Sequence, residues 1–163
     1  MILSTHAIVG GAIASLIPDQ PALAFVAGIV SHFVIDAIPH SDYPLRSISI
    51  SRKRPALLAD RVWVRDLGLL AFDASAGLAI ALLLYASPRA TPAILLGAVG
   101  GMLPDPLRLI HRLYPREPFR SFQCFHAWIH TKHKLTWPWA VSSQALLVVL
   151  TICAAELVRH SFG

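Results

Sequence analysis

"LGLLAFDASAGLAIALLLYA", Leu67–Ala86, runs for 20 residues with one charge, Asp73. A helix needs about 20 mainly apolar residues to cross the hydrocarbon of a bilayer. A second run, "PWAVSSQALLVVLTICAAELV" at Pro138–Val158, also holds one charge, Glu156. The composition agrees with a membrane reading. Of 163 residues, 55% are apolar and 14% charged, whereas soluble domains carry about 25% charged residues. Mean hydropathy is +0.60. The expectation is a single all-α integral-membrane domain over residues 1–163, a compact bundle of about six helices, some too short to span.

Working outward, "PALAFVAGIVSHFVIDAIP" (Pro21–Pro39) is nearly long enough to span but contains His32 and Asp36. Ala7–Pro18 and Thr91–Pro104 are shorter apolar segments. Phe119–Lys134 reads as a sixth helix, aromatic on one side and polar on the other. Gly10, Gly11, Ala14, Gly28, Gly97, Gly100 and Gly101 supply small faces, which let helices approach closely in lipid. Cys124 and Cys153 lie in apolar stretches without metal spacing, so packing is their expected role. The opening residues have no basic region ahead of their apolar part, so Met1 is expected to begin the mature chain.

Net charge is +5. Basic loops account for it without nucleic acid as a partner. If helices alternate across the bilayer, residues 41–66 form a basic loop on the side of Met1, and residues 105–120 form another. Arg46, Arg52, Lys53, Arg54, Arg61, Arg65, Arg108, Arg112, Arg116 and Arg120 then share one side, against Arg89 on the other. The positive-inside bias puts the N-terminus and both loops in the cytoplasm.

That topology gathers ionisable groups. His6, His32, Asp36, His40, Asp73, Asp105, His126 and His130 all fall near the cytoplasmic level. Charges within membrane segments cost about 2.5–3.5 kcal/mol each on insertion scales and usually mark function. His32 and Asp36 are four residues apart and share a helical face, as do His126 and His130. Imidazoles and carboxylates together suit zinc first, with manganese or iron as alternatives. His6, His32, Asp36, His126 and His130 are the expected metal ligands. Asp105 and Asp73 are the expected catalytic carboxylates, as general base. His40 and Asp42, at the rim, orient a ligand or hold a second ion. Loop arginines sit at headgroup height, making membrane lipid a partner.

At these residues, "GxxSHxxxD" (Gly28, Ser31, His32, Asp36) resembles the core motif of the membrane-bound metal-dependent hydrolases, which include the LexA-regulated inner-membrane proteins. "THxxxG" (Thr5, His6, Gly10) resembles that family's opening, and "LPD" (Leu103–Asp105) its Pro-Asp element. The His-to-Asp step followed by another His is more distantly similar to the zinc-dependent phospholipases C. The resemblance implies a divalent metal and hydrolysis of a lipid or phosphoester at the inner, cytoplasmic membrane. A metal so held lowers the pKa of a bound water toward about 7. Two other classes fit the residues: a metal-ion or proton transporter or binding protein, and a non-catalytic subunit whose histidines bind a cofactor. The family's Arg-Gly-x-Thr-His-Ser stretch has no counterpart, "HTKH" at His130–His133 standing nearest to it.

Overall fold

The computed structural model describes residues 1–43 and 61–162. Among these the chain is all-helical, with seven helices in the order α1 (Leu3–Ser15), α2 (Pro21–Asp36), α3 (Arg61–Tyr85), α4 (Thr91–Met102), α5 (Pro104–Leu113), α6 (Phe119–Ile129) and α7 (Trp137–Phe162). The bundle is as expected. By length and composition α3 and α7 are long and apolar enough to cross a membrane, over Trp63–Tyr85 and Trp137–Ser161. α4 and α5, bent by 45° at their junction, would make a third span together.

The short α1 is the axis of the bundle and touches α2, α3, α4 and α7. Its residues are buried almost all round, from Leu3 to Ser15. A helix buried on every side has no polar face to show. α4 lies between α1 and α2 at backbone contact distance, because its glycines leave room. A Cβ at Gly97 would stand 2.6 Å from the Gly10 carbonyl oxygen of α1 and 2.6 Å from the Ala14 Cβ. A Cβ at Gly28 of α2 would strike the Gly97 carbonyl. This is the small-residue packing that membrane helices use in place of a hydrophobic driving force. The outward faces are apolar: Val26, Val30 and Val34 on α2, Phe72 and Leu83 on α3, and Leu146, Leu150 and Leu157 on α7 are all exposed. Such faces suit lipid rather than water.

Three boundaries differ from expectation. The basic loop 41–66 lies mostly outside the described residues, together with Arg46, Arg52, Lys53 and Arg54. Its final part, from Arg61, is already α3. Residues 104–113 form α5 instead of a loop. Pro104 at the first helical position needs no N–H partner, Asp105 in the first turn and His111 and Arg112 in the last suit the helix dipole. α6 stops at Ile129, and His130 turns out of it with φ −56° and ψ 129°.

Candidate metal centre

Asp36 closes α2 with its carboxylate wholly buried. Five imidazoles surround it. Toward Oδ1 point His6 Nε2 at 3.3 Å and His40 Nε2 at 3.7 Å. Toward Oδ2 point His126 Nε2 at 3.2 Å, His32 Nε2 at 3.3 Å and His130 Nε2 at 3.7 Å. Each comes from a different place. α1 supplies His6, and α2 supplies His32 one turn before Asp36. The chain after α2 supplies His40, α6 supplies His126, and the turn out of α6 supplies His130. The turn is held by the Thr131 N–H, which donates to the Asp36 backbone carbonyl at 2.9 Å. Asp105, in the first turn of α5, places Oδ1 3.9 Å from His126 Nε2. Asp42 places Oδ1 3.2 Å from His40 Nε2 and 3.5 Å from His130 Nε2.

The protonation pattern says what belongs between these groups. His32 Nδ1 lies 2.8 Å from the Gly101 carbonyl, His40 Nδ1 2.8 Å from the Ile38 carbonyl, and His130 Nδ1 3.0 Å from the Thr131 carbonyl. A carbonyl only accepts, so each Nδ1 carries a proton, and such a ring, when neutral, turns a lone pair inward at Nε2. Lone pairs then face a carboxylate, and the Nε2 atoms of His32 and His126 face each other at 3.3 Å. Both ring nitrogens of His6, Nδ1 of His126 and Nε2 of His130 are buried without a hydrogen-bond partner. Buried polar atoms are seldom left so. A divalent cation among the Nε2 atoms and carboxylate oxygens would turn the conflicts at Nε2 into ligand bonds, so the residues present fit a metal. Among the described residues the donor atoms of His32, Asp36, Asp105 and His126 lie within 4.8 Å of one another, and so do those of Asp36, His40 and His130.

Around this centre the charges are strongly coupled. Burial resists ionisation of Asp42, yet His130, His40 and the Met1 ammonium hold its carboxyl well below the usual carboxylate range. The Asp42 hydrogen bond outweighs burial at His130 and raises that imidazole above its ordinary value. The Met1 amino nitrogen stands 3.1 Å from Asp36 Oδ1, 3.1 Å from Asp42 Oδ1 and 2.6 Å from His40 Nε2.

Of the nine residues expected at the site, eight meet here. Asp73 does not join either ligand group. Its Oδ2 accepts the Ser4 N–H at 2.8 Å and the Tyr43 hydroxyl. Burial and then the Asp73 carboxylate push the Tyr43 phenol up, so the proton stays on the tyrosine. The Leu3 N–H donates to that same phenol oxygen at 2.7 Å. Asp73 thus anchors the start of α1, carrying His6, to α3. Sequence reading passed over Tyr43 and Gln144. Gln144 of α7 is buried, accepts the Ile2 N–H at Oε1 (3.0 Å) and donates from Nε2 to the Ser41 carbonyl (3.3 Å). A lone amide within an apolar span was the available signal, because burying one without partners is costly.

A cleft of about 250 Å³ opens beside the centre. His126, His130 and Asp42 form one part of its wall, and Arg108, Lys132 and Lys134 another. Exposed Phe125, Trp128, Trp137 and Trp139 flank the same segment, residues typical of the membrane–water boundary. No family model, curated protein or solved structure matches the chain.

Proposed function

We propose that the chain is a membrane-embedded, metal-dependent hydrolase that acts on a lipid or phosphoester near the cytoplasmic leaflet. The observation that carries this reading is the ring of inward-facing Nε2 atoms around the buried Asp36 carboxylate. His32, His126 and Asp36 would hold the cation, with Asp105 beside them. Zinc fits an imidazole-rich set with few carboxylates best. The bound cation supplies a water acidic enough to ionise near neutral pH and offsets charge on the oxygen under attack. Asp105 is partly exposed, at 20%, with Oδ1 3.9 Å from His126 Nε2, where it accepts the proton from water. Arg108 lies 3.7 Å from the Asp105 Oδ1 and, with Lys132 and Lys134, gives the cleft a positive wall for an anionic substrate. Gly101, Ile38 and Thr131 carbonyls hold imidazoles in the tautomer that ligates.

The far end of the bundle supports hydrolysis over transport. There the ion pairs are exposed, Asp19 with Arg89 and Glu156 with Arg159. Between the two ends the core is built from Ala12, Ala14, Ala81, Ala93 and Ile94. A conducting path needs polar groups through the whole depth. The resemblance to inner-membrane metal-dependent hydrolases points the same way and suggests the cytoplasmic membrane as location.

The test is metal analysis of the purified chain alongside hydrolysis of phosphomonoester, phosphodiester and carboxylic ester reporters. Wild type is expected to hold divalent metal and to lose turnover on chelation. Asp105→Asn is expected to keep its metal and lose about 10²–10⁴-fold in kcat. Equal metal content in wild type, His32→Ala and Asp36→Ala would overturn the reading.

A further inference from the structure

We propose that the centre holds two divalent cations bridged by the carboxylate of Asp36. This rests on the reading of the cluster as a metal centre and adds the number of ions and the division of their ligands. The first argument is supply. A zinc-type cation takes four ligands. Here five imidazoles and the carboxylates of Asp36 and Asp42 crowd one another, with Asp105 at their edge. One ion with four ligands would leave three of these seven groups unused, including His130 Nε2, which has no hydrogen-bond partner.

The second argument is geometry. The two groups share Asp36 and no other residue: His32 and His126, with the general base Asp105 beside them, on one side, and His40 and His130 on the other. Asp42 Oδ1 adds to the second group, 3.2 Å from His40 Nε2 and 3.5 Å from His130 Nε2. Asp36 Oδ2 leans to His32 and His126, Oδ1 faces His6 and His40, and His130 of the second set lies 3.7 Å from Oδ2. A carboxylate whose oxygens reach both donor sets is placed to bridge. Both groups also contain imidazoles already locked with Nε2 inward, His32 in the first and His40 and His130 in the second. Paired hydrolytic cations lie about 3.5–4 Å apart and clamp the attacking and leaving oxygens of a phosphoryl transfer.

The third argument is charge. The second pocket already accommodates a positive group, since the Met1 ammonium lies against Asp36, His40 and Asp42. One divalent cation plus that ammonium would neutralise three carboxylates. Two divalent cations, the second in the ammonium's place, leave one positive charge in excess, which an anionic substrate balances, in keeping with the cationic wall of the cleft.

The experiment uses the full chain in detergent, stripped by chelator and reloaded with Zn²⁺ for elemental counting and with Co²⁺ for magnetic resonance. The expected result is two ions per chain, magnetically coupled in the cobalt form. His40→Ala and His126→Ala should each retain one uncoupled ion, and Asp36→Asn, which removes the bridging carboxylate, should hold neither. One uncoupled ion in wild type, unchanged by His40→Ala, overturns the proposal while the single-metal reading stands, the ammonium then filling the second pocket. Two ions without coupling overturn the bridge. No bound ion overturns both this proposal and the proposed function. If the variants do not fold, the wild-type count and coupling decide by themselves.

Discussion

Asp36 and Asp73 are both carboxylates flanked by apolar sequence, and the fold gives them opposite tasks. Asp36 draws five imidazoles together. Asp73 is fully engaged by the Ser4 N–H and the Tyr43 hydroxyl. Asp36→Asn is therefore expected to abolish metal binding. It should also destabilise the metal-loaded protein by about 3–5 kcal/mol, the usual cost of removing one partner from a buried charged set. Thermal unfolding with and without chelator checks this, because chelation should erase much of the difference from wild type. Asp73→Asn should leave metal content unchanged and cost about 1–3 kcal/mol through weakened bonds to Ser4 and Tyr43. Parallel loss of metal in both variants would contradict the division. The pairing of His32 with Asp36 was legible because four residues along a helix return to the same face. The fate of Asp73 was not, because it depends on Tyr43, 30 residues distant in sequence, which no periodicity announces.

At the scale of elements, α4 decides how closely α1 and α2 can present their ligands. Gly97→Ala would press a methyl against the Gly10 carbonyl and the Ala14 Cβ, each at 2.6 Å. Overpacking of this kind costs about 1–3 kcal/mol and should also weaken metal binding, since Gly101 of the same helix holds the His32 tautomer. Gly68→Ala in α3 is the control. Nothing lies within 4 Å of its Cβ position, so better helix propensity should leave stability equal or up to about 1 kcal/mol higher. Melting curves of the two variants in one detergent make the comparison. Gln144 gives a second element-scale test, because its amide ties α7 to Ile2 and Ser41 on either side of the centre. Gln144→Leu unpairs the Ile2 N–H and the Ser41 carbonyl. It should lower metal affinity by about 10–100-fold, the range seen when groups supporting ligands are lost. Apolar length made α3 and α7 legible in the sequence. α5 escaped that test because it is short and polar on one side, and a proline-flanked Asp105 reads equally well as a turn. The end of α6 escaped too, since His126 and His130 keep helical spacing although the helix stops between them.

For the whole molecule, alternating crossings were enough to bring His6, His32, Asp36, Asp105 and His126 to one end before any contact was known. The level of the site follows from direction and length alone. Which of the gathered groups touch depends on rotations of helices about their axes, which the sequence does not display for segments as evenly apolar as α1 and α4. Orientation follows from charge. Arg61, Arg65, Arg108, Arg112, Arg116, Arg120, Lys132 and Lys134 belong to the segments around the centre, whereas Arg89 and Arg159 lie at the opposite end. The positive-inside bias supports the proposed orientation, with the His/Asp cluster toward the cytoplasm. Cys124 and Cys153 are exposed, so a test by thiol labelling starts from a variant with both changed to serine. Into it go single cysteines at two exposed charged positions: Lys134→Cys beside the cleft, and Arg89→Cys at the far end, where the native side chains are 66% and 71% exposed. A reagent that cannot cross membranes should reach Lys134→Cys only when the cytoplasmic face is open, as in inverted vesicles, and Arg89→Cys only from the outer face. The reverse pattern would turn the protein over and place its chemistry outside the cell. Equal labelling from a single face would mean that the bent pair α4–α5, which lies between the two positions in the chain, does not cross, and the orientation argued from charge would fail with it.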